Sequence, residues 1–271
     1  MIELSNLNII SFLLIFFIGL PHGSFDGAVA SLVGFNTKIQ FIKFLILYIL
    51  LFLVVISFWL LFPILSLFIF IIMTILHFGF CDWTNFKIKK YKFPVSFAYG
   101  MTIIFGIIFF NEEQSFIIFE YLTSNNIYYY KQFLVIPYFL TTVALLYFIY
   151  LSFLEKKLRI GILEILFLLL VFYIFEPLLS FAIYFCFFHT YKHLKHLINN
   201  IYLHISNKTF VLYSTLIFTI ISWIGGAIVI LFLTQNFNLY ESIIKVIFIG
   251  LAALTLPHMI LVDLVYRKRF N

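Results

Sequence analysis

Charge is what this chain has least of. Acidic and basic side chains make up 10% of its 271 residues, against 64% hydrophobic residues and a mean hydropathy of +1.14. A soluble domain of that length needs far more polar surface, so these proportions exclude one and require a polytopic membrane protein. Cysteine is nearly absent: Cys81 and Cys186 each sit in an apolar run and read as small buried hydrophobes, not as a disulfide. Other absences remove whole chemistries. No glutamate follows any histidine, which removes an H-E-x-x-H intramembrane zinc protease. No two histidines are adjacent and a single H-x-x-x-H occurs, too little for a membrane di-iron desaturase or hydroxylase with its several histidine clusters. No Ser-His-Asp or Cys-His arrangement offers a nucleophile. Lys245 stands close to the end of its apolar run, not mid-helix where a retinal Schiff base would need it.

What the chain has is apolar length. At ~20 apolar residues per span, about eight or nine helices fit, and the expectation is an all-α polytopic transmembrane bundle with residues 1–271 as a single domain. A first apolar segment covers 4–32, interrupted at Gly19-Leu20-Pro21-His22-Gly23, and is too long and too polar in its second half for a cleaved signal peptide. Further spans are expected at about 39–61, 64–81, 95–110, 133–153, 160–175, 177–196, 210–234 and 243–266, with a polar connection between Glu112 and Tyr130. The 39 Phe and 17 Tyr residues suit lipid-facing surfaces and do not by themselves indicate an aromatic or polyene ligand.

The net charge of +6 is a topology signal. With nine spans and the N-terminus outside, the inner segments hold Lys38, Lys43, Lys87, Lys89, Lys90, Lys92, Lys156, Lys157, Arg159, Lys192, Lys195, Lys208, Arg267, Lys268 and Arg269. Only Lys131 and Lys245 of the 17 basic residues fall elsewhere. The positive-inside rule therefore sets the N-terminus outside and the C-terminus inside, in the cell (inner) membrane, and leaves no role for nucleic acid.

In this orientation His22, His77, His189 and His258 lie in the same half of the bilayer on four different spans, with His193 one turn beyond His189. Ionisable residues at that depth are costly and face a partner or a cavity. In Phe185-Cys186-Phe187-Phe188-His189-Thr190-Tyr191-Lys192-His193-Leu194-Lys195-His196, the imidazoles of His189, His193 and His196 fall within a roughly 60° arc of a helix and share one face. Imidazoles one turn apart can bind one metal ion or bracket one substrate. Carboxylates follow three of the histidines: Asp26 after His22, Asp82 after His77 and Asp263 after His258. Such groups can take the outer N–H of a ligating imidazole and fix its tautomer. Asp26, at i+4, shares the face of His22 on a regular helix, whereas Asp82 and Asp263, at i+5, are turned away. A metal or proton transporter would use the same residues, but it favours polar groups through both membrane halves, and here the outer half is nearly bare.

Pro21-His22-Gly23-Ser24-Phe25-Asp26, His77-Phe78-Gly79-Phe80-Cys81-Asp82-Trp83, the H-x-x-x-H of His189 and His193, and Pro257-His258-Met259 occur in this order on one polytopic chain. Together they resemble the bacterial and archaeal Brp/Blh β-carotene 15,15′-dioxygenases, from Pro21 to Asp263. The resemblance implies an Fe(2+) centre held by His22, His77, His189 and His193, with β-carotene and O2 as substrates. It also implies two retinals as products, which could supply a rhodopsin. His258 has no settled role in that family; here it is expected to line the pocket or brace a ligand. His196 and His204 read as helix-end and loop residues. Trp83, Phe187, Phe188 and Tyr191 flank the ligands and are candidates for lining a polyene pocket, though two of them are expected to face lipid.

The nine-span topology is tested by reporter fusions after Lys92 and after Glu113, which should report opposite sides of the membrane. Both on one side would break the span count.

Overall fold

The computed structural model describes residues 5–83, 91–125, 127–205 and 208–262, and among these it is all-α, with no strand. Seven helices or helix runs are long and apolar enough to cross a membrane: Asn6–Leu32, Lys38–Leu61, Pro63–Asp82, Lys92–Phe110, Tyr128–Leu154, Lys208–Leu233 and Leu239–Val262. The two other stretches read as spans take a different form. One is a helix of 16 residues, Arg159–Ile174, ~24 Å long at 1.5 Å per residue and short of a hydrocarbon core of ~30 Å. The other is broken into Pro177–Ile183, a π-helical turn Tyr184–His189, and Thr190–His204.

The described chain forms two compact units, residues 1–63 with 185–271 and residues 64–184. In the first unit α1 (Asn6–Leu14) starts where the Ser5 hydroxyl accepts from the Asn8 amide at 3.2 Å. It then loosens into a π-helical turn, Ile15–Gly19, and tightens into a 3-10 stretch, Leu20–Phe25, before α2 (Asp26–Leu32). Pro21 has no N–H to give and Gly23 has a low helix propensity, so regular winding fails here. Irregular backbone at membrane depth persists only where other groups take up the freed polar atoms. That is done by Cys186, whose thiol donates to the Leu14 carbonyl at 3.2 Å, and by Trp223, whose indole N–H donates to the Phe16 carbonyl at 2.8 Å.

Helix α3 (Lys38–Leu61) opens on a reciprocal cap. The Thr37 hydroxyl accepts from the Gln40 amide at 3.3 Å, and the Gln40 side chain accepts from the Thr37 amide at 3.2 Å. It ends at Phe62, because a residue before proline is pushed out of the helical region. Pro63 then begins α4 (Pro63–Asp82), where its missing N–H costs nothing. The core of the first unit gathers Ala28, Val29 and Leu32 of α2, Phe44 of α3, and Leu197 and Ile201 of the helix Thr190–His204.

In the second unit α4 is followed by α5 (Lys92–Phe110) and α6 (Glu112–Thr123). Helix α6 occupies ground expected to be a polar connection. Glu112 and Glu113 in its first turn suit the helix dipole, and Ser115, Ile118 and Leu122 bury one face. Lys131 bridges both acids, at 2.9 Å to Glu112 and 2.5 Å to Glu113, and holds the Glu113 carboxyl below its ordinary value. Glu113 is well exposed, so this pair adds little stability. After α6 come α7 (Val135–Leu154), α8 (Arg159–Ile174) and α9 (Pro177–Ile183), and the chain returns to the first unit through α10 (Thr190–His204), α11 (Lys208–Leu233) and α12 (Leu239–Met259).

Helices α4 and α5 approach at their glycines. A Cβ on Gly79 would collide with the Ser96 carbonyl oxygen, and one on Gly100 with the carbonyl oxygen of Ile75. Small residues at a crossing let two membrane helices touch backbone to backbone. Gly79→Ala and Gly100→Ala should each lower the thermal midpoint of the detergent-purified protein, by an overpacking cost of about 1–3 kcal/mol or more. Gly225, in α11, has open space around it, so Gly225→Ala should be neutral or stabilising by up to about 1 kcal/mol through helix propensity. A Gly79→Ala protein that melts with the parent would refute the close crossing.

Candidate metal site

The H-x-x-x-H pair lies in the first unit at the junction of the Tyr184–His189 π-turn and α10. His189 is fully buried and His193 nearly so. Their rings lie almost parallel, 15° apart with centroids at 6.1 Å, so the two imidazoles share a face as the spacing predicts. Phe185 stacks on the other side of His189, with centroids at 5.9 Å and planes 11° apart. His196 is half-buried further along α10, and His204, at its end, is exposed.

A third imidazole joins from α12. His258 follows Pro257, whose ring cannot continue the hydrogen-bond ladder. Its ring is buried and meets the His193 ring at 5.1 Å between centroids and 63° between planes. Its Nδ1 lies 2.8 Å from Oδ1 of Asp26, and the other carboxylate oxygen accepts from the Tyr48 hydroxyl, also at 2.8 Å. Asp26 is fully buried, so this carboxylate is held entirely by protein groups.

The placement of Asp26 differs from the arrangement a regular helix would give. In a 3-10 stretch each residue turns ~120°, so four residues carry the chain about a third of a turn past the starting face. Asp26, at the end of this stretch, reaches Tyr48 on α3 and His258 on α12. His22 lies in this 3-10 stretch and is described by its backbone alone. Asp263 lies outside the described residues.

The second unit carries another set. His77 and Cys81 are one turn apart on α4, both buried, with a ring nitrogen and Sγ within 4.8 Å of each other. An imidazole and a thiol at that spacing are donors suited to iron or zinc. Asp82, turned away from His77 by its i+5 position, accepts from the Tyr184 hydroxyl at 2.9 Å. Close by, the Tyr99 hydroxyl donates to Glu164. Trp83 packs edge-on against Tyr99 at 5.9 Å and Phe148 at 5.6 Å, and is half-buried. The flanking aromatics of the H-x-x-x-H segment diverge. Phe188 is half-buried, whereas Phe187 is 52% exposed and Tyr191 60% exposed, with the Lys195 ammonium 5.6 Å above the Tyr191 ring.

Sequence reasoning named His189, His193, His258 and Asp26 but not Tyr48, and treated Cys81 as filler. A tyrosine in the middle of an otherwise apolar run is the one local signal that Tyr48 has a partner. Each set is chemically consistent by itself: imidazole nitrogens, joined by a thiol in the second unit, are donors that a transition-metal ion takes. The residues present therefore suit a transition-metal ion.

Comparison with known proteins identifies the family. The family model for beta-carotene 15,15'-dioxygenase matches residues 13–266. The chain is 31% identical over 256 residues to the beta-carotene 15,15'-dioxygenase of the uncultured marine bacterium 66A03, covering 94% of this chain and 92% of that relative. No solved structure matches the chain. A match that runs from α1 past the end of α12, through every histidine motif, leaves one conclusion: the chain belongs to the β-carotene 15,15′-dioxygenase family.

Proposed function

We propose that this protein is an iron(II)-dependent dioxygenase of the cell (inner) membrane. In this reading it cleaves β-carotene at its central 15,15′ double bond and places one oxygen atom of O2 on each of the two retinals formed. The near full-length match to the family carries this reading. The buried imidazoles on apolar helices support its metal-dependent part.

His22, His77, His189 and His193 would hold the iron. When bound, ferrous iron supplies the activation of O2 that the protein's own side chains lack. The remaining work falls to the chain. His189 and His193, one turn apart on a buried face, present two lone pairs from one rigid element. Phe185, stacked on His189, limits the rotation of that ring. The substrate is a long apolar polyene, and its reaction needs its midpoint held in register with the metal. Helices α3, α7 and α11 expose apolar residues along most of their length, so the protein sits in the solvent from which such a substrate arrives. Trp83 and Phe188, both half-buried, are suited to line the path, while Phe187 and Tyr191 are exposed and would meet the lipid. The retinal formed would be available to a rhodopsin in the same membrane.

Expression in a bacterium that accumulates β-carotene should bleach the orange cells and yield retinal on pigment extraction. His189→Ala should keep the cells orange and lose bound iron while the protein remains inserted, because insertion depends on the apolar spans. His204→Ala, at an exposed position, should bleach like the parent. Full bleaching by His189→Ala would end the metal reading, and orange cells with the parent chain would end the carotene reading.

A further inference from the structure

We infer that His258 is itself a ligand of the metal centre, with Asp26 and Tyr48 as the residues that position it. The inference rests on the metal-dependent reading above and assigns to it a fifth imidazole, on α12.

The orientation of the ring carries most of the weight. Asp26 Oδ1 lies 2.8 Å from His258 Nδ1, which sets the proton on that nitrogen and leaves the Nε2 lone pair as the one able to bind a cation. A carboxylate on the outer N–H is the usual companion of a metal-bound histidine, because it fixes the tautomer and raises the basicity of the other nitrogen. Here the companion is fixed in turn. Tyr48 donates to Asp26 Oδ2 at 2.8 Å, so the carboxylate cannot rotate away from the imidazole. The chain Tyr48–Asp26–His258 joins α3, α2 and α12 and is buried at its acid and its imidazole. A carboxylate kept at membrane depth is costly, and a histidine retained for packing alone would not require one.

The second observation is the distance to His193. Two imidazoles bound to one ion at ~2.1 Å, with bonds about 90–110° apart, have ring centroids roughly 4.6–5.3 Å apart. The His193 and His258 centroids are 5.1 Å apart, inside that range, with their planes inclined at 63°. His189 and His193 stand wider, at 6.1 Å, which with the same bond lengths corresponds to an angle of roughly 145° and calls for a small approach of the two rings on binding. By contrast His196, the other histidine of the α10 face, lies ~10 Å along the axis from His189 and would need a bent helix to reach the same ion.

The test uses the full chain purified in detergent and Co(II) as a spectroscopic stand-in for Fe(II), so that binding is read by titration and by the visible ligand-field bands, without turnover. The parent should bind one Co(II). His258→Ala should weaken binding by ~100-fold or more and change the bands, and added imidazole should restore them, which a misfolded variant would not show. Asp26→Asn, nearly isosteric, should weaken binding by ~10–100-fold, as loss of an orienting carboxylate does elsewhere, and it decides the matter if His258→Ala cannot be purified. Tyr48→Phe should weaken it less. Parent-like affinity and bands in both His258→Ala and Asp26→Asn, alongside loss of Co(II) in His189→Ala, would overturn the role of His258 and leave the metal reading standing. A parent chain that binds no Co(II) would overturn both.

Discussion

Hydrocarbon offers no hydrogen bonds, and most of what is unusual in this protein follows from that constraint. Every polar atom at membrane depth must find its partner inside the chain. Ordinary α-helix meets the demand for the backbone, and the long helices α3, α7 and α11 do little else, leaving apolar side chains for the lipid. Where the helix departs from regular winding the obligation becomes visible. Between Ile15 and Phe25 the winding passes from π to 3-10, and the Cys186 thiol and Trp223 indole come from other helices to bond carbonyls at Leu14 and Phe16. The Thr219 hydroxyl adds a bond to Ser24 at 2.8 Å. An irregular segment so secured is rigid, and rigidity is what a site needs from the element that carries its residues.

The same constraint shapes the buried ionisable groups. Asp26 is fully buried, yet both of its oxygens are engaged, one by Tyr48 and one by His258. Asp82 and Glu164 are met by the hydroxyls of Tyr184 and Tyr99. In each unit a tyrosine on one helix reaches a carboxylate on another, so the buried acids also tie the helices together. Phenols suit this role because they donate one hydrogen bond while the rest of the ring packs as a hydrophobe. Tyr184 shows both halves, with its hydroxyl on Asp82 and its ring against Phe78 at 4.9 Å.

Close packing is the other support. Van der Waals contact replaces the hydrophobic effect between helices in lipid, so backbones gain by approaching closely. Gly79 and Gly100 allow this between α4 and α5, and Gly79 lies between His77 and Cys81 on the same helix. The residue that lets α5 come near thus sits within the turn that carries two donor side chains. A glycine within a histidine motif serves packing here, without any unusual backbone angle.

Apolar runs, their lengths and the prolines that end them determined the all-α membrane class and most helix limits, because those features act locally. The break at Phe62-Pro63 and the start at Pro177 are legible from two residues each. The motif histidines were legible as well, since a polar residue in an apolar run must be there for a partner. What α6 would do was not legible, because Glu112 to Thr123 is too polar to read as a span and folds as a helix through the burial of Ser115, Ile118 and Leu122. Nor was the partner of Asp26. Spacing alone offers it the face of His22, whereas the partners observed are His258, 232 residues away, and Tyr48, on helices that spacing cannot bring near. Sequence spacing determines which side chains share a face when the helix is regular. Which carboxylate meets which imidazole depends on local pitch and on the arrival of other helices, and tertiary packing alone decides those.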